Sequence, residues 1–353
     1  MDRSAQFSGT KEVDPKLLLE HGPIESYLKN LFGSNINLLD IKQFKGGQSN
    51  PTYLIKTDDK NFVLRRKPPG KLLASAHAVD REYKVITALN KTDVPVPKTY
   101  GLCEDDSVAG TPFFLMDHID GNIFWDLLLT KSSLEDRNKI YWSMNDTIAK
   151  LHNTDFKSIG LSDYGKYENY MARQIARWSK QYKDSETTLI TEMDNLIEWL
   201  PQNIPPGEET SIVHGDFRLD NMVFDKNTNE VIAILDWELS TLGHPIADFT
   251  YHMMTWRMPL GVQGIGILGA NLQELNIPNE DEYAKAYYLK TNRNEIQNWD
   301  FFLAYNMFRL AGITQGIAGR VRDGTASSDQ AKQYGAFVPI LSQMAWKIVE
   351  GIK

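Results

Sequence analysis

Apolar and polar positions alternate loosely over residues 37–43, again over 52–56, and once more over 62–65, with polar turns between them. A period of two marks half-buried strands, so this stretch predicts a meander. Its first connection is Phe44-Lys45-Gly46-Gly47-Gln48-Ser49-Asn50, a glycine-rich loop between two neighbouring strands. The period then changes. Over 77–91 the apolar residues Val79, Tyr83, Ile86 and Leu89 recur at helical spacing, and Glu82 sits on the edge of that face, able to reach inward from a helix packed on the sheet. Val94-Pro95-Val96-Pro97 turns the chain, and 111–116 reads as a fourth, strongly apolar strand. Asp117-His118-Ile119-Asp120-Gly121 has the composition of a linker, which places a domain boundary between residues 1–117 and 118–353.

Beyond that boundary the pattern is helical over 133–152, 169–182, 192–200, 280–289, 299–319 and 326–352. One strand-rich island, 211–237, interrupts it. The expected fold class is therefore α+β and two-lobed: a small antiparallel-sheet lobe with one helix, then a large, mainly helical lobe. No internal repeat is visible.

Composition narrows the function classes. The 353 residues are 42% hydrophobic and 24% charged, enough apolar content for a sizeable core. A formal net charge of -8 argues against nucleic acid as a partner. The single cysteine, Cys103, excludes an internal disulfide framework and a cysteine zinc site, and reads as a small buried hydrophobe. Residues 1–15 lack the apolar core of a signal peptide, and the longest uncharged stretch, 258–272, is too short to span a bilayer. A cytoplasmic or organelle-matrix protein with no membrane partner is the expectation. The pattern sets no oligomeric state.

The island carries the chemistry. It runs Ile212-Val213-His214-Gly215-Asp216-Phe217-Arg218-Leu219-Asp220-Asn221-Met222-Val223-Phe224, and resumes after a six-residue polar turn as Val231-Ile232-Ala233-Ile234-Leu235-Asp236-Trp237-Glu238. Folded as an antiparallel hairpin with Phe224 opposite Ala233, it sets Asn221 opposite Asp236, with Asp216 just upstream. Magnesium favours such hard oxygen ligands, one or two carboxylates completed by phosphate and water. An Asp, a short loop, an Asn and a strand-end Asp form the general kinase pattern, in which the first Asp takes the hydroxyl proton and the other two hold the metal. Adjacent glycines at 46 and 47 suit a nest of backbone N–H groups around phosphate, though no Walker A ending follows them.

These residues resemble the aminoglycoside phosphotransferase and choline kinase superfamily, in which His-Gly-Asp stands where protein kinases have His-Arg-Asp. Gly243-His244-Pro245-Ile246-Ala247-Asp248-Phe249 is similar to that family's continuation. A narrower likeness lies in Gly46-Gly47-Gln48-Ser49-Asn50, Leu64-Arg65-Arg66-Lys67-Pro68-Pro69-Gly70-Lys71, Ser75-Ala76-His77-Ala78-Val79-Asp80-Arg81-Glu82-Tyr83 and Trp237-Glu238-Leu239-Ser240-Thr241-Leu242-Gly243. It points to the kinase-like domain fused to acyl-CoA dehydrogenases and its stand-alone bacterial relatives. The resemblance implies a protein-kinase-like fold, ATP and Mg2+ as cofactors, Asp216 as base, and Asn221 and Asp236 as metal ligands. It implies phosphate binding by Gly46, Gly47, Gln48 and Ser49, an adenine pocket at 114–118 with Met116, Asp117 and His118, and Glu82 orienting a cation on the third strand. That cation is usually Lys; here it is Arg65, which binds phosphate as a planar fork.

The implied activity is transfer of the γ-phosphoryl group of ATP to an alcohol of a small molecule. An aminoglycoside or amino-alcohol kinase and a nucleotide-binding pseudokinase are the alternatives. A protein kinase would show Asp-Phe-Gly and Ala-Pro-Glu marks, which are absent. Residues 301–353 carry six basic and three acidic side chains, a local +3 against -11 elsewhere. Arg320 and Arg322, beside Gly316, Gly319 and Gly324, look suited to an exposed anion contact, so the expected acceptor is anionic: a hydroxyacyl-CoA or the free hydroxy acid. Two other signals are read as decoys. Gly264-x-Gly266-x-x-Gly269 lacks the strand-turn-helix context of a dinucleotide fingerprint and reads as a mobile loop near the substrate. His152, His244 and His252 lack zinc spacing, and His214 reads as a brace for the loop.

Overall fold

The computed structural model describes residues 6–46, 50–70, 78–260, 266–293, 297–324 and 335–352. In chain order, β1 (Thr10–Lys11) and α1 (His21–Phe32) lead into β2 (Leu38–Phe44), β3 (Thr52–Thr57) and β4 (Asn61–Arg66). Then follow α2 (Val79–Leu89), β5 (Thr99–Cys103), the single turn α3 (Asp106–Ala109) and β6 (Phe113–Asp117). Three helices come next: α4 (Leu134–Asn153), α5 (Tyr170–Ser185) and α6 (Thr191–Gln202). The short strands β7 (Ser211–Val213), β8 (Met222–Phe224), β9 (Val231–Ile234) and β10 (Thr241–Gly243) precede α7 (Pro245–Arg257), α8 (Glu280–Lys290), α9 (Trp299–Arg322) and α10 (Phe337–Gly351). The fold is α+β and kinase-like, an antiparallel sheet followed by a mainly helical part. Among the described residues no helix is long and apolar enough to cross a membrane.

Contacts group the chain into two units. The first comprises Met1–Lys150, Thr154–Tyr164 and Arg218–Ser240. Its six-stranded sheet has the order β1-β2-β3-β4-β6-β5, every pair antiparallel. Alternation decides which face each residue serves. Tyr53, Ile55, Phe62, Leu64, Phe113 and Leu115 join Ile24 and Leu28 of α1 in one buried cluster. Phe114, of opposite parity, points to the other face, where the Tyr83 ring of α2 lies 6.1 Å away. The hydrophobic pattern marked α2 and missed α1, whose Gly22-Pro23 reads as a break. Proline is tolerated in a first helical turn, where its missing N–H has no intrahelical partner to lose. Cys103 is buried.

The β8–β9 hairpin also belongs to the first unit, and its register departs from expectation. Met222 pairs with Ile234, Val223 with Ala233, and Phe224 with Val231. Ile232 is thus bulged out of β9, so Val223 rather than Phe224 faces Ala233. Asn221 consequently meets Leu235 in place of Asp236, and the Leu235 N–H donates to the Asn221 carbonyl at 2.8 Å.

The second unit comprises Leu151–Asn153, Gly165–Phe217 and Thr241–Lys353. β7 and β10 form a two-stranded antiparallel ribbon within it. Helix α9 is buried without a break from Phe301 to Gly312, as a helix enclosed on all sides must be, and packs against α5, α7 and α10. Gly266 lies where a Cβ would meet the Met258 carbonyl oxygen at 2.1 Å, so the decoy glycine answers a close backbone approach. Gly264 lies outside the described residues.

Candidate active site

In the first unit, three elements bring charge to one point. Arg65 stands near the end of β4, Glu82 in the first turn of α2, and Asp236 just after β9. The Arg65 Nε lies 2.7 Å from Glu82 Oε2, and its Nη2 lies 2.6 Å from Asp236 Oδ1 and 3.9 Å from Glu238 Oε2. Glu82 is 1% exposed and also accepts a 2.7 Å hydrogen bond from the Asn50 amide. Burial pushes the Glu82 carboxyl up to about 7; Arg65 opposes the shift, while Asp236 and Glu238 add to it. Burial also works against the Arg65 charge, yet the three carboxylates outweigh it and raise its pKa above the ordinary value. Asp236 has a left-handed backbone, φ +62°, and immediately precedes a short 3-10 turn, Trp237–Leu239, without a side-chain cap hydrogen bond to it.

Hard oxygen donors collect at the mouth of the hairpin. Asp236 supplies a carboxylate that already holds one cation, the Arg65 guanidinium. Asn221, ending the turn Leu219–Asn221, supplies an amide one position from the hairpin's last pair. That set suits a magnesium ion whose remaining ligands come from phosphate and water. Among the described residues no cluster of three or more His, Cys, Asp or Glu offers a self-sufficient metal site.

The other expected nucleotide contacts are placed unevenly. Gly46 follows β2, where a Cβ would stand 3.4 Å from the Phe7 carbonyl oxygen, and the Lys45 N–H donates to Gly9 at 3.0 Å. Gly47, Gln48 and Ser49 lie outside the described residues. Met116 is buried on β6. The Asp117 carboxylate is taken up by Lys60 and Tyr100, both at 2.8 Å, and its N–H donates to Lys98. The His118 N–H donates to Asn61 at 3.4 Å, so these two N–H groups serve the sheet. The His118 ring stacks on Phe44 at 6.2 Å, and burial lowers its pKa, leaving a neutral aromatic surface.

The second unit holds Asp216. Its loop begins with Gly215 at φ +83°, a left-handed value that favours glycine. The Asp248 carboxylate of α7 accepts the His214 and Gly215 N–H groups, both at 2.8 Å. Burial works against the Asp248 charge, but the His152 hydrogen bond and the loop N–H group outweigh it and hold the carboxyl below its ordinary value. His214 Nδ1 accepts the Asp216 N–H at 3.2 Å. Tyr251 of α7 donates to Asp216 Oδ1 at 2.6 Å, and Arg309 of α9 donates to the Gly215 carbonyl at 2.7 Å. Neither Tyr251 nor the role of Arg309 is visible in the linear pattern.

Arg320 and Arg322, expected at a C-terminal anion contact, are both exposed. Arg309 is buried and donates to the Gly215 carbonyl, Arg322 is paired with Asp323 at 2.8 Å, and Gly319 packs against Ser185. Lys332, Asp329 and Lys353 lie outside the described residues. His152, His244 and His252 are separate structural residues. His152 bonds Tyr287 and Asp248, His244 caps α7, and His252 bonds Tyr283.

Comparison with known proteins fixes the class. Residues 40–289 match the family model described as "Phosphotransferase enzyme family". The chain belongs to that family. A crystal structure from Ralstonia eutropha, provisionally named an aminoglycoside phosphotransferase, is 46% identical with a TM-score of 0.88, covering 95% of this chain and all of that one. Acyl-CoA dehydrogenase family member 10 of Mus musculus is 41% identical over 339 residues. That match takes in 96% of this chain but 32% of the mouse protein, so the chain spans about a third of that relative. Aminoglycoside phosphotransferase APH(4)-Ia, in a ternary complex with AMP-PNP and hygromycin B, shares the fold at 15% identity and a TM-score of 0.60, over 94% of this chain and all of that one.

Proposed function

We propose that the protein is an ATP- and magnesium-dependent small-molecule kinase whose acceptor is a hydroxyacyl-CoA or a free hydroxy acid. The observation that carries the reading is the buried Arg65 joined to both Glu82 and Asp236. Burying such a cation among carboxylates costs desolvation energy that their attraction only partly offsets, and buried charge sets of this kind cluster at functional sites. ATP would meet Arg65 at its α- and β-phosphates, with Glu82 setting the guanidinium's angle. Asn221 and Asp236 would hold Mg2+, which when bound neutralises charge on the phosphate oxygens. Phe44 and His118 would offer a flat surface to the purine. In the transfer, the acceptor hydroxyl oxygen attacks the γ-phosphorus, the bond to the β-γ bridging oxygen breaks, ADP leaves, and the hydroxyl proton passes to Asp216.

The acceptor class rests on likeness to a protein named an acyl-CoA dehydrogenase family member. At the C-terminal end Arg322 is exposed and pairs with the adjacent Asp323, a surface pair of small worth that does not exclude an anion. The reaction is tested by ADP release from MgATP with 3- and 4-hydroxyacyl-CoA, their free acids and kanamycin-type amino alcohols as acceptors. Asp216→Asn is expected to lose about 10²- to 10⁴-fold in turnover, the usual worth of a positioned base, and to keep its affinity for AMP-PNP. Full turnover in that variant would remove Asp216 from the mechanism. Transfer to amino alcohols alone would overturn the acceptor.

A further inference from the structure

We infer that Tyr251 is a positioning residue for Asp216, held to that task by Arg309; the inference rests on the reading of Asp216 as base. Helix α7 grips the loop through two side chains three residues apart, and α9 grips it through Arg309 while Asn306, three residues earlier, ties α9 to α7; that spacing sets neighbours on one face. On α7 these are Asp248 and Tyr251. Asp248 takes the two N–H groups of His214 and Gly215, and Tyr251 takes the Asp216 carboxylate itself, at 2.6 Å. On α9 they are Asn306 and Arg309. The Asn306 amide donates to Ala247 at 2.8 Å and Thr250 at 2.9 Å, which fixes α9 against α7. Arg309 donates to the Gly215 carbonyl at 2.7 Å and lays its guanidinium over the Tyr251 ring at 4.9 Å.

The loop is thereby held at its N–H groups, at a carbonyl and at the reactive carboxylate. Only the last of these bears on where the base points. A free carboxylate turns about its χ angles, and broad sp³–sp² torsions resist that turning weakly. One short hydrogen bond to Oδ1 restricts it. The donor is itself confined, since Tyr251 is 8% exposed and its ring is covered by Arg309. A base has to meet the hydroxyl proton within hydrogen-bond reach, and small misplacement is costly in rate. Tyr251 therefore acts on turnover and not on nucleotide affinity.

The test is Tyr251→Phe, which keeps the ring under Arg309 and removes only the hydroxyl. ADP release from MgATP is followed with 4-hydroxypentanoyl-CoA as acceptor and, separately, with water as acceptor. Loss of one hydrogen bond to a charged group predicts a fall in kcat of about 10- to 100-fold, with the KM for ATP unchanged and the melting temperature lowered by only a few degrees, as the same bond's loss from the fold allows. In an Asp216→Asn background the same substitution is expected to do nothing more, because it acts through the missing carboxylate. If Asp216→Asn loses turnover while Tyr251→Phe keeps it, the positioning role is wrong and the base stands. If Tyr251→Phe costs the same factor in both backgrounds, or raises the ATP KM with the fall in kcat, Tyr251 is a packing residue. If Asp216→Asn itself keeps full turnover, the base assignment fails first, and the inference with it.

Discussion

Arg65 shows why residue type matters at the nucleotide end of the first unit. Its side chain sends Nε to one carboxylate and Nη2 to another, on a helix and after a hairpin respectively. A lysine is a single point charge and could not bridge both in that planar geometry. Glu82 is the more exposed to loss, since it is buried and pushed up to about 7 even with the guanidinium beside it. Arg65→Met is therefore expected to destabilise the fold by about 3–5 kcal/mol, the usual result of stranding one half of a buried pair. Arg65→Met with Glu82→Gln removes both charges and still gives Asn50 an acceptor, so it is expected to regain most of that loss in urea unfolding. A double variant as unstable as the single one would mean that Glu82 is not what the arginine neutralises. The sequence singled out Arg65, Glu82 and Asp236 by their places in strand, helix and hairpin, and these three are in contact. It gave no sign of Asn50 on Glu82 or of Tyr251 on Asp216, because a polar side chain within an apolar stretch reveals its partner only once the chain has folded.

At the scale of elements, periodicity marks α5, with one face to solvent, and the long buried α9, but not the short buried α7. Helix α5 alternates buried Met171, Ile175, Trp178 and Tyr182 with polar positions, and its pattern was plain. Helix α7 is buried along nearly its whole length and has no polar face to set a period, and its 13 residues give a shorter apolar run than the 24 of α9, too short to tell helix from buried strand by pattern. The hairpin register slipped by one residue for a similar reason. The bulged Ile232 sits in an apolar run, where nothing marks which residue leaves the ladder. The glycines of α9 were read as room for an exposed anion, but they make room for α5. A Cβ on Gly319 would stand 2.8 Å from the Ser185 Cβ and 3.2 Å from its carbonyl oxygen, and backbone cannot swing aside as a side-chain end does. Gly319→Ala should accordingly destabilise by about 1–3 kcal/mol as an overpacked contact, despite the higher helix propensity of alanine. A rise in melting temperature would show that α5 and α9 separate without cost.

Across the whole molecule, the chain returns to the first unit through Arg218–Ser240 after building part of the second, an arrangement that no single cut in the sequence expresses. The strand-rich island that carries Asp216, Asn221 and Asp236 is thus shared, with Asp216 in the second unit and the other two in the first. Among the histidines of the second unit, His152 and His252 are buried and His244 is half-buried. These set how the protein answers to acid. Burial lowers the pKa of His244 and of His252 to about 4 from 6.5, and lowers that of His152 in spite of Asp248. Between those limits the unfolded chain takes up protons that the folded chain refuses. The unfolded state then binds more protons, so stability rises with pH and is lost as the pH falls through 6.5 toward 4. Asp248 adds a loss of the same sign, but only near and below its ordinary 3.8, because its pKa is depressed. Each histidine that stays neutral contributes a slope of up to about 1.4 kcal/mol per pH unit within the window. The melting temperature is therefore expected to fall steadily from pH 7 to pH 4.5. His252→Gln, which keeps a hydrogen-bonding partner for the Tyr283 hydroxyl and cannot titrate, is expected to flatten that fall. An unchanged slope in the variant, measured by calorimetry at matched ionic strength, would mean that His252 takes up its proton inside the fold.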